Sequence, residues 1–317
     1  MTNLVGSKIR LTEKTSTLTK LRSYLAKTWP LYIMIAPGLA LLIVFRFYPM
    51  YGLQIAFRDY NPGLGFTGSK WIGLQQFVFL FSLSDFAILL RNTLVIAIAK
   101  IISIQLCSIV LAILLNEVRS ILFRRTLNSV IYLPHFMSWI VAAGILIDMF
   151  GSNGLIGQLL KPLGIQSSMF LGRANWFVPF LVVTNLWKEV GWSTIIYLAA
   201  LTGIDPTLQE AAAVDGASHF QRIWYILLPG ITPIILLISC LSLGSVLDAG
   251  FEQVLNLYNP GVLETGDILD TYIYRAGLIQ ARYSLATAAG LFRSLVGFIL
   301  ISISYWLAYK FSDFRIF

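Results

Sequence analysis

Six stretches of predominantly apolar residues divide this chain, at about 31–47, 92–115, 130–150, 176–201, 231–247 and 288–308. Helical runs of roughly twenty residues match a hydrocarbon core ~30 Å thick. A backbone in lipid must satisfy its own N–H and C=O groups, so each run is predicted to be a helix. The fold class read from this pattern is an all-α integral membrane protein with six transmembrane helices. A basic segment, 1–30, precedes a membrane domain, 31–317. Composition agrees: 57% of the residues are hydrophobic and 12% charged, against about a quarter charged in an average soluble domain. The first run is the shortest and contains Pro37-Gly38, which predicts a bend.

The net charge of +8 does not point to nucleic acid, because no basic stripe with interleaved aromatics appears. Six basic residues (Lys8, Arg10, Lys14, Lys20, Arg22, Lys27) precede the first run. With the N-terminus inside, inner segments hold twelve basic residues and the longer outer segments seven. That bias predicts both termini in the cytoplasm. The first 29 residues lack the apolar core of a signal peptide, so the first run is expected to be an uncleaved anchor. Asp248, Glu252, Glu264, Asp267 and Asp270 gather in the last outer segment, 248–287. The first outer segment has room for a short interfacial helix near 74–81. Cys107 and Cys240 fall inside apolar runs and read as small core residues.

One inner loop, 203–229, interrupts the apolar pattern with Glu210, Asp215, His219, Gln221 and Arg222. Asp205-Pro206 is a helix start, a capping carboxylate followed by a proline in the first turn. Gly216 can end that helix in a left-handed conformation. Ser218 with Gln221 is a capping-box pattern, opening a second short helix expected to stop at Pro229. Ala211, Ala212 and Ala213 leave the first helix with a bare flank that another body can approach closely. Two readings are open on these grounds: a helical knob seated in a partner, or an amphipathic linker.

The spacing Glu210-Ala211-Ala212, three residues, Gly216, nine residues, Ile226, one residue, Leu228-Pro229 resembles the EAA loop of ATP-binding-cassette importer permeases. "YPMYGLQIAFRDY" (48–60), "RRTLNSVIYLPHFMSW" (124–139) and "SYWLAYKFSDF" (304–314) are similar to the carbohydrate-uptake, maltose-type branch, most of all to its oligosaccharide, alginate-type and lipoprotein-associated permeases. The resemblance implies a type I importer (MetI-like) permease fold in a bacterial cytoplasmic (inner) membrane. It implies that Glu210, Ala211, Ala212, Asp215, Gly216, Ile226, Leu228 and Pro229 form a coupling element gripped by a cytoplasmic ATPase dimer. It further implies a homologous second permease subunit, an extracytoplasmic solute-binding protein and an oligosaccharide substrate. ATP and Mg²⁺ would be bound by the partner ATPase, with no cofactor in this chain. "GLGFTGSK" (63–70) lacks the Gly-Lys-Ser/Thr ending of a phosphate loop.

Ionisable groups within spans are costly and mark function. Asn185, Lys188, Glu189 and Trp192 lie three and four residues apart, on one helical face. That face reads either as lining of a sugar pathway, or as a buried ion pair of Lys188 or Glu189 with a partner subunit, or as support for the packing of this helix. Lys100 sits mid-span and needs an acceptor. Arg293, nearer the outer end, is expected to snorkel; Asp148 reads as interfacial. His135 reads as a hydrogen-bonded interior residue, and His219 as part of a solvated first turn. The two histidines lie too far apart in this topology to share a metal, and no catalytic set emerges. An ion-coupled secondary transporter is the alternative reading, with Glu189 as the coupling carboxylate; it leaves the inner loop without a task.

Overall fold

The computed structural model describes residues 17–151 and 153–311. Lys8, Arg10, Lys14 and Arg315 lie outside them, as does the end of the 304–314 stretch. The chain divides into two units, Met1–Gln54 and Ile55–Phe317. In the first, helix α1 (Thr17–Leu42) passes through Pro30 and Pro37 and leads into a π turn, Ile43–Phe47. It begins well before residue 31, so the expected boundary between a basic segment and a first span does not coincide with a helix start.

The second unit opens with a small hairpin, β1 (Arg58–Asp59) against β2 (Lys70–Trp71). The "GLGFTGSK" stretch closes this hairpin. Ser69 Oγ donates to the Gly65 carbonyl at 2.6 Å and accepts the Asn61 N–H at 3.0 Å. Helix α2 (Gln75–Ser82) lies where a short helix is expected. Helix α3 (Phe86–Asn116) begins six residues before the predicted second span.

The third predicted span, 130–150, is not one helix. Helix α4 (Ile121–Tyr132) ends in a 3₁₀ turn, Leu133–Phe136. Helix α5 (Trp139–Phe150) then starts anew, with Ser138 Oγ accepting the Val141 N–H at 3.3 Å. Pro134 lacks the backbone donor that would continue the α-helical ladder, and the chain leaves helical geometry at Met137 and Ser138, both extended. Helix α6 (Ala174–Thr202), 29 residues long, occupies the predicted fourth span. Helix α7 (Pro206–Val214) and helix α8 (His219–Gly244) follow. Two short helices, α9 (Phe251–Leu257) and α10 (Leu269–Tyr274), precede helix α11 (Tyr283–Phe311).

Among the described residues, five stretches are long and apolar enough to cross a membrane: Ala26–Phe57, Phe86–Asn116, Trp139–Leu163, His219–Gly244 and Tyr283–Trp306. Helix α6 has the length but is diluted by Asn185, Lys188 and Glu189 at its centre. Helix α8 begins twelve residues before the predicted fifth span and does not stop at Pro229. A π turn at Ile223–Leu227, closed by the Leu228 N–H on the Ile223 carbonyl, lies just upstream. Such a turn widens the helix where the proline ring would strike a carbonyl four residues back. The lining of this joint is apolar: Leu227 and Ile231 pack with Ile109, Ile113, Tyr197 and Leu201.

Helices α3 and α6 are bound by polar contacts as well as by apolar packing. Ser108 Oγ donates to the Val190 carbonyl at 3.3 Å. Gly191 meets α4 so closely that a Cβ there would overlap the Ile131 carbonyl. Gly191→Ala is therefore expected to destabilise the fold by about 1–3 kcal/mol, the usual cost of overpacking, read as a lower thermal midpoint in detergent. Cys107 is exposed on α3, contrary to the core role expected of it, and Cys240 is half-buried with its thiol 3.6 Å from the Ser304 carbonyl.

Candidate functional site: an exposed elbow and a polar bundle centre

The elbow between α7 and α8 is built from local hydrogen bonds. Asp205 accepts the Thr207 N–H at 2.9 Å, which holds its carboxyl below the usual range. At the other end, Gly216 has φ +81°. The Ala217 N–H reaches the Ala212 carbonyl at 2.9 Å and the Gly216 N–H reaches Ala213 at 3.2 Å. This pair of bonds is a Schellman motif, which satisfies the last carbonyls of α7. Two residues on, the Ser218 N–H donates to Gln221 Oε1 at 2.7 Å and the Gln221 N–H to Ser218 Oγ at 3.3 Å. That reciprocal box starts α8.

The motif residues divide into two groups. Glu210, Ala211, Asp215 and Gly216 are exposed at the tip, with Ala212 half-buried. Ile226 and Leu228 are half-buried at the base, and Leu228 packs on the core of α3, α6 and α8. Pro229 is exposed on the continuing helix. The structure adds apolar tip residues that sequence reasoning passed over. Val214 is 89% exposed, and Phe220 stacks on Trp224 at 6.2 Å with both rings open to the outside. Their four-residue spacing outside a span was the available signal. A stiff turn carrying two acids, Glu210 and Asp215, and an apolar rim, anchored in the helix core, can move the bundle when another body pushes it. His219 is exposed in the first turn of α8, 3.9 Å from Glu117.

The four-residue face on α6 divides too. Asn185 lines a cavity of about 300 Å³ with Lys100, Gln105, Ser193, Tyr197 and Asp248. Lys100 Nζ donates to the Ala249 carbonyl at 2.6 Å, the acceptor its position required. Lys188, Glu189 and Trp192 instead meet the break between α4 and α5. Lys188 Nζ donates to the His135 carbonyl at 3.0 Å and to Glu189 Oε1 at 2.8 Å, and lies 5.3 Å from the Trp139 ring. Glu189 Oε2 is 2.6 Å from His135 Nδ1. The His135 ring stacks on Trp192, 4.6 Å apart and 4° from parallel. Among the described residues, no cluster of His, Cys, Asp and Glu could hold a metal ion.

The family described as binding-protein-dependent transport system inner membrane component matches residues 104–313, which include the whole elbow and both polar groups on α6. The chain belongs to this family. The permease is 43% identical over 284 residues to the polygalacturonan/rhamnogalacturonan transport system permease protein YteP of Bacillus subtilis (strain 168), covering 89% of this chain and 88% of that one. It is likewise 43% identical over 284 residues to Protein LplB of the same organism, with 89% of each chain covered. A chain in the crystal structure of a bacterial alginate ABC transporter, in complex with alginate pentasaccharide-bound periplasmic protein, superimposes with a TM-score of 0.86 at 36% identity. The match covers 94% of this permease and all of that chain (100%). The expected fold, a helical, multi-pass membrane permease of the importer type, is borne out, with one small β hairpin added to it.

The permease departs from expectation at Arg293. This side chain does not snorkel. Its Nη1 is 2.7 Å from Asp270 Oδ1, its Nη2 3.4 Å from Asp248 Oδ2, and its Nε donates to the Leu247 carbonyl at 3.2 Å. Burial pushes the Asp270 carboxyl up to about 6, with Arg293 opposing the shift and Asp248 adding to it. Asp267 and Arg275 form a second pair at 2.6 Å in the same segment. The acidic cluster read in 248–287 is thus partly matched by arginines from α11 and from the turn after α10. Asp148 is exposed on α5, as an interfacial residue would be.

Proposed function

We propose that this permease forms half of the membrane pathway of an ATP-driven importer of oligosaccharides derived from acidic polysaccharides. The exposed, rigidly capped elbow carries the proposal. It gives a separate cytoplasmic ATPase dimer something stiff to grip, with Glu210 placed to pair with a basic residue there. ATP and Mg²⁺ are bound by that dimer, and this chain has no ATPase chemistry of its own. A homologous second permease completes the pathway, and an extracytoplasmic binding protein delivers the sugar. The named relatives, YteP and the alginate transporter, support the substrate class. Lys100 and Asn185 in the bundle cavity suit an acidic, hydroxyl-rich ligand. Both termini and the 203–229 elbow lie in the cytoplasm, on the charge bias of the loops.

Reconstitution tests this reading. The chain, a second permease, the ATPase and a loaded binding protein in one liposome are expected to take up oligosaccharide only with ATP. Uptake driven by an ion gradient without ATPase would favour a secondary transporter instead. Asn185→Ala is expected to lower uptake about threefold to tenfold, the worth of one hydrogen bond, at unchanged assembly. In a background lacking Cys107 and Cys240, Ala212→Cys should react with an impermeant maleimide only in inside-out vesicles. Labelling from the outer side would overturn the topology.

A further inference from the structure

A second pocket, of about 510 Å³, lies between α10, the turn that follows it and the first turns of α11. Its walls are aromatic. Phe251 and Tyr274 sit with ring centres 5.6 Å apart, and Tyr283 adds a third ring. Its charged lining is Asp270, Arg293 and Asp248. Asp270 is 7% exposed, yet only one of its oxygens is used: Oδ1 meets Arg293, and the buried Oδ2 has no hydrogen-bond partner among the described residues. Arg293 is already engaged by two carboxylates and the Leu247 carbonyl. Two acids face this one guanidinium, and Lys100 shares the adjoining cavity with Asp248.

The chemistry of a fitting ligand follows from these features. A buried carboxylate oxygen without a donor is costly, so the ligand supplies an O–H or N–H. The buried Asp270 carboxylate at the wall disfavours a second carboxylate beside it. Aromatic walls favour a body with an apolar C–H face. A sugar ring meets all three conditions: hydroxyl donors at its edge, C–H groups on its face and no need to present its acid. We propose that this pocket is an outer subsite that holds one ring of the transported oligosaccharide, with Asp270 Oδ2 accepting a ring hydroxyl. Asp248 lines both this pocket and the cavity at Asn185, so the subsite adjoins the bundle cavity. The inference rests on the reading of the chain as an oligosaccharide permease and adds a position and a chemistry to it.

The experiment uses the complete reconstituted importer at matched amounts of assembled complex, with oligosaccharide uptake measured over a concentration series. Tyr274→Leu and Asp270→Asn are each expected to raise the apparent KM about threefold to tenfold, the loss of one ring contact or hydrogen bond. Phe251→Leu is the third variant and leaves the charge network in place. If Asp270→Asn fails to assemble, the two aromatic variants decide. Tyr274→Leu and Phe251→Leu both within twofold of the wild-type KM would overturn the subsite. A wild-type complex that takes up no oligosaccharide with ATP would instead overturn the functional reading beneath it.

Discussion

Replacing Gly216 by valine is expected to cut ATP-driven uptake by about tenfold while leaving the amount of permease in the membrane unchanged. At φ +81°, glycine sits where a Cβ costs roughly 1–2 kcal/mol, and a β-branched residue fits worse still. Each 1.4 kcal/mol is about a factor of ten in an equilibrium. The cost falls on the elbow alone. A Cβ at Gly216 would meet nothing within 4 Å, so the substitution crowds no neighbour. What it disturbs is the bond pair from Gly216 to Ala213 and from Ala217 to Ala212, and with it the angle between α7 and α8. A graded series sharpens the test: uptake should fall in the order glycine, asparagine, alanine, valine, because asparagine tolerates the left-handed region best among the three. A valine variant that transports like the wild type would show that the bend transmits nothing.

The parts of this elbow that were readable in the sequence are those set by neighbours two to five residues apart. Asp205-Pro206, Gly216 and the Ser218–Gln221 box each complete their hydrogen bonds inside one turn, so residue identity and spacing suffice. Pro229 was misread as a stop for a different reason. Whether a helix survives a proline depends on what holds its two halves together. Here Leu227 and Ile231, on either side, are both buried in one core. That core is assembled from α3 and α6, more than twenty residues away in sequence. Pro134 shows the opposite outcome: nothing buried lies within Leu133–Phe136, and the helix breaks.

The polar face on α6 illustrates the same limit at longer range. Helical geometry spreads Asn185, Lys188, Glu189 and Trp192 over roughly 100° of arc, and an arc that wide can face two neighbours. Asn185 looks toward α3, where Lys100 and Gln105 line the shared cavity. Lys188 and Glu189 look toward His135, more than fifty residues earlier in the chain. A periodicity argument finds the face but not its partners. Arg293 is the sharper case: its acids, Asp270 and Asp248, come from a segment read only as a place where acid gathers, and only the return of α9 and α10 onto α11 brings them together.

Two of the readings of Lys188 and Glu189, pathway lining and packing support, separate through a pair of variants. Glu189→Leu alone is expected to destabilise the permease strongly. Lys188 is only 5% exposed and would keep the His135 carbonyl and the Trp139 ring but no counter-charge. Removing one partner of a buried pair costs about 3–5 kcal/mol, mostly for the charge left behind; partial exposure of Glu189 places this case toward the lower end. The double variant Lys188→Met with Glu189→Leu removes both charges and fills similar volume, so most of the lost stability should return. Thermal midpoints in detergent measure the recovery. Uptake by the recovered double variant then decides between the roles. Wild-type transport assigns the pair to packing, with His135 held against Trp192 by stacking alone. A stable protein that no longer transports assigns the charges to the pathway. A double variant that unfolds as early as the single one would mean that Glu189 does not act by neutralising Lys188.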